Sequence, residues 1–163
     1  MWRFGVPALA LACLLGTPSE GFAQWRRPRG ATPALWAGLR GGRDFENHAW
    51  SAGAQLGLQL QDRFEIRPSG DYFFGDQTPF RWQLNADGVL AFGPGRAVYG
   101  GGGAAFTRVR PLDAVKTGYN LFFGLAFAPP VAPARAFAEF RWTFVNQTSP
   151  FRLVLGLSRR LSR

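Results

Sequence analysis

The sequence predicts an all-β fold, a single antiparallel up-and-down barrel of eight strands, and three observations carry that expectation. Residues 50–74, WSAGAQLGLQLQDRFEIRPSGDYFF, alternate twice. Trp50, Ala52, Ala54, Leu56, Leu58 and Leu60 are apolar against Ser51, Gly53, Gln55, Gly57 and Gln59; Phe64 and Ile66 then stand against Arg63, Glu65 and Arg67. Period two over such a length marks a two-stranded ribbon with one apolar and one polar face. The same unit, about ten alternating residues and then a turn, recurs along the chain, and no window sustains a helical period of about 3.6 residues.

Residues 1–23 read as an export signal. Arg3 gives a positive start, Ala8–Leu15 a short apolar run, and Gly21-Phe22-Ala23 small residues before a cleavage after Ala23. The run is shorter than the roughly 20 residues that a membrane helix needs. Cys13 lies inside it, so the mature chain from Gln24 is expected to hold no cysteine, which removes disulfides, thiol catalysis and thiolate metal sites. Residues 24–32 form a basic N-terminal segment, and residues 33–163 the barrel domain.

The strands are expected at Ala34–Gly41, Ala49–Leu60, Arg63–Phe74, Phe80–Phe92, Arg96–Arg108, Gly118–Ala128, Ala134–Val145 and Phe151–Leu161. In the fourth, Phe80, Trp82, Leu84 and Ala86 alternate with Arg81, Gln83, Asn85 and Asp87. In the sixth, Tyr119, Leu121, Phe123, Leu125 and Phe127 form the apolar set. In the seventh, Ala136, Ala138, Phe140, Trp142 and Phe144 face away from Arg135, Glu139, Arg141 and Thr143, with Phe137 as the exception. The eighth sets Phe151, Leu153, Leu155 and Leu157 against Arg152, Gly156 and Ser158. Pro68 cannot donate to a ladder, so a bulge or kink is expected there, after which the parity of Tyr72–Phe74 is open to a shift of one. Gly100–Gly103 lack the Lys-Ser/Thr and helix of a phosphate loop and read as close packing or curvature. The connections 42–48, 75–79, 109–117 and 146–150 are expected to be longer and more polar than 61–62, 93–95 and 129–133.

Which face points outward decides the class of protein. A polar face in water should be crowded with Lys and Glu. This one carries Gly38, Gly53, Gly57, Gly124, Gly156, Ser51, Gln55, Gln59, Asn85 and Asn120, which suit a confined interior. The interior of an eight-stranded barrel is just wide enough for side chains to fill. Trp, Phe and Leu from every strand would overfill it, but set outward they form a band. A strand of about 11 residues, tilted about 45°, gives a height of roughly 25 Å, which matches the apolar band of a transmembrane barrel. An Arg facing lipid at mid-depth costs about 2–4 kcal/mol. Hence Arg67, Arg81, Arg135, Arg141 and Arg152 are expected inside, either paired with Glu65, Asp71, Asp87 and Glu139 in a lumenal ion-pair network or simply solvating a wet interior. Trp36, Trp50, Tyr72, Phe80, Trp82, Tyr119, Trp142 and Phe144 are expected to form an aromatic girdle at headgroup level.

With its export signal, its alternation, its turn-and-loop rhythm and the glycine-bearing last strand FRLVLGLSRRL, the chain resembles the small eight-stranded outer-membrane β-barrel domains of the OmpA/OmpX type over about Pro33–Leu161. The resemblance implies a single transmembrane barrel with a polar, plugged lumen in the outer membrane. It implies a bilayer as partner, a monomeric state, and a structural or surface-interaction role without catalysis. The family's last strand usually ends in an aromatic residue; this chain ends Leu161-Ser162-Arg163, with Arg159 on the outward parity, where it would snorkel to the rim.

Net charge is +9, from 18 Arg and one Lys, a balance that can signal nucleic acid. Export argues against that partner, and lipopolysaccharide phosphates meeting Arg43, Arg108, Arg110 and Lys116 at the loop rim are the alternative. No cofactor or metal is expected: Asp44, Glu46, Asp76 and Asp113 read as solvated loop acids. His48 with Ser51 and Glu46 resembles the trio of barrel lipid hydrolases only loosely, because His48-Ala-Trp-Ser51 lacks their tight His-x-Ser spacing. The competing fold reading is a soluble periplasmic barrel with the faces inverted, binding an apolar ligand.

Overall fold

The computed structural model describes residues 34–75, 78–93, 96–110, 113–127, 133–145 and 148–161. The expected export signal, the basic segment, Asp76 and most of the turn at 129–133 lie outside these residues. The strands are β1 (Ala34–Asp44), β2 (Trp50–Gln59), β3 (Phe64–Phe74), β4 (Phe80–Phe92), β5 (Val98–Val109), β6 (Ala114–Phe127), β7 (Ala134–Phe144) and β8 (Phe151–Arg160). Each pairs antiparallel with its neighbours in sequence, and β1 pairs with β8 from Trp36↔Arg160 to Asp44↔Arg152, so the eight strands close a barrel. Closure leaves no unpaired strand edge. The end where β1 begins and β8 finishes is called the base here, and the opposite end the top.

Apolar side chains from every strand face outward: Leu39, Leu56, Ile66, Leu84, Phe106, Leu121, Phe140 and Leu155 are all exposed. Leu58, Phe123 and Leu155, which a soluble inverted barrel would bury centrally, are 37%, 48% and 55% exposed. The largest fully buried side chains are instead Arg141 and Arg152. Outward rings also pack across strands: Tyr119–Phe144 and Phe123–Phe140 stack at 4.7 and 5.2 Å between centroids, and Trp142–Phe151 lie tilted at 4.9 Å. Such cross-strand pairs help to hold register.

Four expectations are corrected. At Pro68 the β3–β4 pairing runs through Pro68↔Ala86 without a register shift, and Tyr72 and Phe74 stay outward while Phe73 is buried. The site tolerates the proline because the two missing pairs, Leu56↔Pro68 and Gly57↔Arg67, fall on the β2 side alone. The irregularity lies instead between Phe80 and Trp82, opposite β5. This one-residue slip reverses parity at the start of β4, so that Phe80 is buried and Arg81 points outward. Arg81 therefore leaves the lumenal set and Phe80 leaves the girdle. Trp36 also leaves the girdle: it is 6% exposed and sits on the inward parity shared with Gly38 and Arg40. Finally, β1 runs on to Asp44 and β6 starts at Ala114, so both sets of connections come to four to six residues and the expected difference in length vanishes.

Inside, an apolar layer of Val89, Tyr99, Phe122, Phe137 and Val154 lines the β4–β8 wall. Three of its rings lie across from glycines on the neighbouring strand: Tyr99↔Gly124, Phe122↔Gly101 and Phe137↔Gly156. A methyl group at Gly124 would come within 2.5 Å of the Tyr99 hydroxyl, and one at Gly101 within 2.7 Å of the Phe122 ring. The lumen is narrow enough that a ring needs a neighbour without a side chain. Gly101 within the glycine run, and the glycines of β6 and β8, thus make room for inward rings.

Candidate functional site

The lumen gathers most of the buried ionisable side chains among the described residues, and alternation puts them there. Glu65, Arg67 and Asp71 from β3, Asp87 from β4, Glu139 and Arg141 from β7 and Arg152 from β8 are all buried on the inner face. Glu139 is central. It accepts hydrogen bonds from Arg141 Nε at 2.8 Å, Arg67 Nη1 at 3.1 Å and the Tyr99 hydroxyl at 3.3 Å. Arg141 also pairs with Asp87 at 2.8 Å, and Arg67 Nε donates to Glu65 at 2.9 Å. Arg135 donates to the other Glu65 oxygen at 2.8 Å. Each of these guanidiniums lays its flat face on a ring: Arg141 over Phe122 and Arg135 over Trp36 at 4.5 Å, Arg67 over Tyr99 at 5.0 Å. The rings take the apolar face of the cation while the carboxylates take its edge, an arrangement available to Arg and not to Lys.

Towards the top, polar amides join the rings, and Arg152 lies over Phe73 at 5.0 Å. Arg152 donates to Gln83 at 3.1 Å and Thr143 at 3.0 Å and stands 3.6 Å from Asp71. Asn120 donates to Asn85 at 2.8 Å and to Asp87 at 3.1 Å. Asn85 donates to Ser69 at 3.1 Å. Arg40 holds both oxygens of Asp71 in a two-pronged fork. Sequence reasoning misses Arg40, although it lies within the expected first strand on the parity of Gly38, because that short stretch shows no clear alternation to follow; it misses Tyr99 because the fifth strand reads mostly as glycine and alanine. Above this layer Phe73, Phe80 and Val145 are buried, with Phe73 and Phe80 5.8 Å apart. Asp44 is no solvated loop acid: it is buried and accepts from the backbone of Glu46 and Asn47, both at 3.0 Å, tying down the β1–β2 loop.

The base differs. A cavity of about 100 Å³ is lined by Trp36, Glu65, Arg67, Tyr99, Arg135 and Phe137 together with turn residues that include Arg63 and Arg96. Arg135 keeps 21% of its side chain exposed there.

At the top rim, outward Trp50, Tyr72 and Tyr119 are exposed, and Trp82, Trp142 and Phe144 are half-buried on the same outer surface. Arg43 lies over the Trp50 ring at 4.8 Å. Asp113 accepts a two-pronged pair from Arg108 and stands 3.9 Å from Arg81, so a small surface ion cluster replaces the lumenal role expected of Arg81. The hydrogen bond from Arg108 holds the Asp113 carboxyl below its ordinary value of 3.8. Arg110 is exposed, whereas Lys116 is half-buried on the inward parity. His48 is exposed, with a left-handed backbone (φ 48°), and Ser51 is buried on the inner face. Among the described residues no hydrogen bond joins His48 to Ser51 or Glu46, and no group of three His, Cys, Asp or Glu is placed to hold a metal ion.

No family model and no curated protein matches the sequence. Solved structures do match the fold. The N-terminal β-barrel domain of Pseudomonas aeruginosa OprF superposes with a TM-score of 0.66 at 18% identity, covering 80% of this chain and all (100%) of that domain. The de novo designed barrel TMB2.3 gives 0.57 at 15% identity over 83% of this chain and 99% of the design. A designed transmembrane β-barrel gives 0.54 at 9% identity, covering 80% and 98%. At these identities the likeness lies in the fold, and the chain has the eight-stranded, closed, up-and-down architecture of the small OmpA/OmpX-type barrels.

Proposed function

We propose that the chain is an integral outer-membrane barrel with a plugged lumen and a structural or surface-interaction role, exported on a cleaved signal at residues 1–23. The inversion of burial carries this reading: arginines are the largest fully buried side chains, while apolar side chains from every strand are exposed. In water that surface would be an aggregation liability far beyond the few hundred Å² that soluble monomers expose; against lipid it is the stable arrangement, since the bilayer solvates the apolar band and closure satisfies the backbone. Burial of the Arg–acid layer and of Phe73 and Phe80 supports a lumen without a wide pore. The resemblance implies that the base faces the periplasm. Arg43, Arg108 and Arg110, beside the top girdle, would then meet lipopolysaccharide phosphates, as basic residues at headgroup level do with anionic lipid.

The test is fractionation of cells expressing the full chain, combined with gel migration of unboiled against boiled samples. The protein is expected in the outer-membrane fraction and to migrate differently after boiling. A monodisperse species in detergent-free buffer would overturn the reading and favour the soluble barrel.

A further inference from the structure

We propose that the cavity at the base binds a small organic acid, one carboxylate on a compact apolar body. This goes beyond the membrane reading, and only the folding conditions and the migration control of its test rest on that reading. Three observations converge on it. The cavity, about 100 Å³, has an apolar side formed by Val89, Tyr99, Ala126 and Phe137. That is somewhat smaller than the roughly 150 Å³ engineered cavity that takes benzene, and so suits a short chain or a small ring. Its charge is lopsided: Arg63, Arg67, Arg96 and Arg135 line it against Asp62 and Glu65, and with Arg67 also held by Glu139 and Arg96 beside Asp62, the spare cation is Arg63. Glu65 is already engaged by both Arg67 and Arg135, while Arg63 has no ion pair among the described residues. Arg135, partly exposed, gives one of its five N–H groups to Glu65 and keeps others for a second acceptor. Finally, Trp36, also on the cavity wall, is 6% exposed and its indole N–H has no acceptor. A buried donor without a partner is uncommon and needs an explanation. An apolar pocket with a few convergent polar groups is the usual form of a small-molecule site, and guanidinium is the usual carboxylate clamp.

The test uses the full mature chain folded in detergent and the Trp36 indole N–H resonance, assigned by its loss in Trp36→Phe. Benzoate is titrated beside benzyl alcohol, which lacks the charge, and acetate, which lacks the apolar body. Benzoate is expected to shift the Trp36 resonance saturably, with a dissociation constant on the order of 1 mM, and the other two to leave it in place. Arg135→Gln should weaken binding about tenfold. Arg63→Gln, in an exposed turn where folding is not at stake, should weaken it about twofold to fivefold. Retained heat-modifiable migration shows that each variant is folded; were Arg135→Gln to lose it, Arg63→Gln and the two control compounds would decide. Equal shifts with benzyl alcohol, uniform shifts of every indole, no saturable shift at about 10 mM benzoate, or wild-type affinity in Arg63→Gln would each overturn the proposal.

Discussion

The middle and the base of the lumen use the same residue types to different ends. In the middle, Arg141, Glu139 and Asp87 are wholly buried, and every carboxylate there meets at least one cation or amide. At the base, Arg135 and Glu65 make an equally short pair, yet the arginine reaches partial exposure and the pair borders a cavity. The difference lies in what surrounds the charges. A charge left alone in the middle has no water to fall back on, so losing one partner there exposes the other to the full desolvation penalty. At the base water can replace a lost partner, so the pair carries little stability and its donors stay available.

The largest expected effect follows directly. Arg141→Leu should destabilise the detergent-folded barrel by about 3–5 kcal/mol, because Glu139 and Asp87 would remain buried beside an apolar side chain. Arg135→Gln should cost about 1 kcal/mol or less, since Glu65 keeps Arg67 and solvent reaches the site. Phe140→Leu, beside Arg141 in sequence but outward, should also stay within about 1 kcal/mol. Urea titration read by the fraction that migrates as folded compares the three. Equal effects for Arg141→Leu and Arg135→Gln would dissolve the contrast between middle and base.

The glycines sharpen it by sterics rather than charge. A methyl group at Gly156 would press on the Phe137 ring and stand 2.7 Å from the Leu39 carbonyl oxygen; the ring would have to turn within a packed layer, and the carbonyl cannot yield without moving a strand. At Gly57, by the base, it would meet chiefly the carboxylate end of Glu65, a flexible side chain next to the cavity. Gly156→Ala should therefore cost about 1–3 kcal/mol and Gly57→Ala less than about 1 kcal/mol. Phe137→Leu in the Gly156→Ala background should recover part of the loss, a coupling that a double-mutant cycle reads directly. Full additivity would mean that ring and glycine do not share the space.

Parity made much of this legible before any coordinates. Placing lipid outside and charge inside needed only the cost of an outward Arg, and the inward row Glu65, Arg67, Asp71 follows from period two. What escaped was the local exception. Trp36 shares parity with Gly38, which the sequence puts inside, yet the habit of rings to sit at strand ends suggested the girdle. Phe137 broke the alternation because it fills space that Gly156 vacates on the next strand, a pairing known only once the register is known. Arg81 depended on a slip of one residue at a strand start, which no composition announces: a bulge is a backbone event, and Phe80-Arg81-Trp82 alternates as well with it as without it. Pro68 misled in the opposite direction, since a missing N–H is tolerated where the ladder on one side can drop its pairs, here two of them.

The rim cluster is the smallest case and sets the floor for the others. Asp113 sits in the four-residue β5–β6 connection with a left-handed backbone (φ 49°), which asparagine also accepts, so Asp113→Asn alters charge and little else. Its partners Arg108 and Arg81 are exposed enough for water to replace the carboxylate. The variant should match the wild type in urea at neutral pH within the scatter of replicates. Because the folded carboxyl lies below 3.8, whatever the cluster adds is present above that value and fades as pH falls through the lower, folded one, so any gap should close in acid rather than open. A loss as large as that of Arg141→Leu would place Asp113 in the buried network after all and would reverse the inference that the slip at Phe80 carried Arg81 out of the lumen.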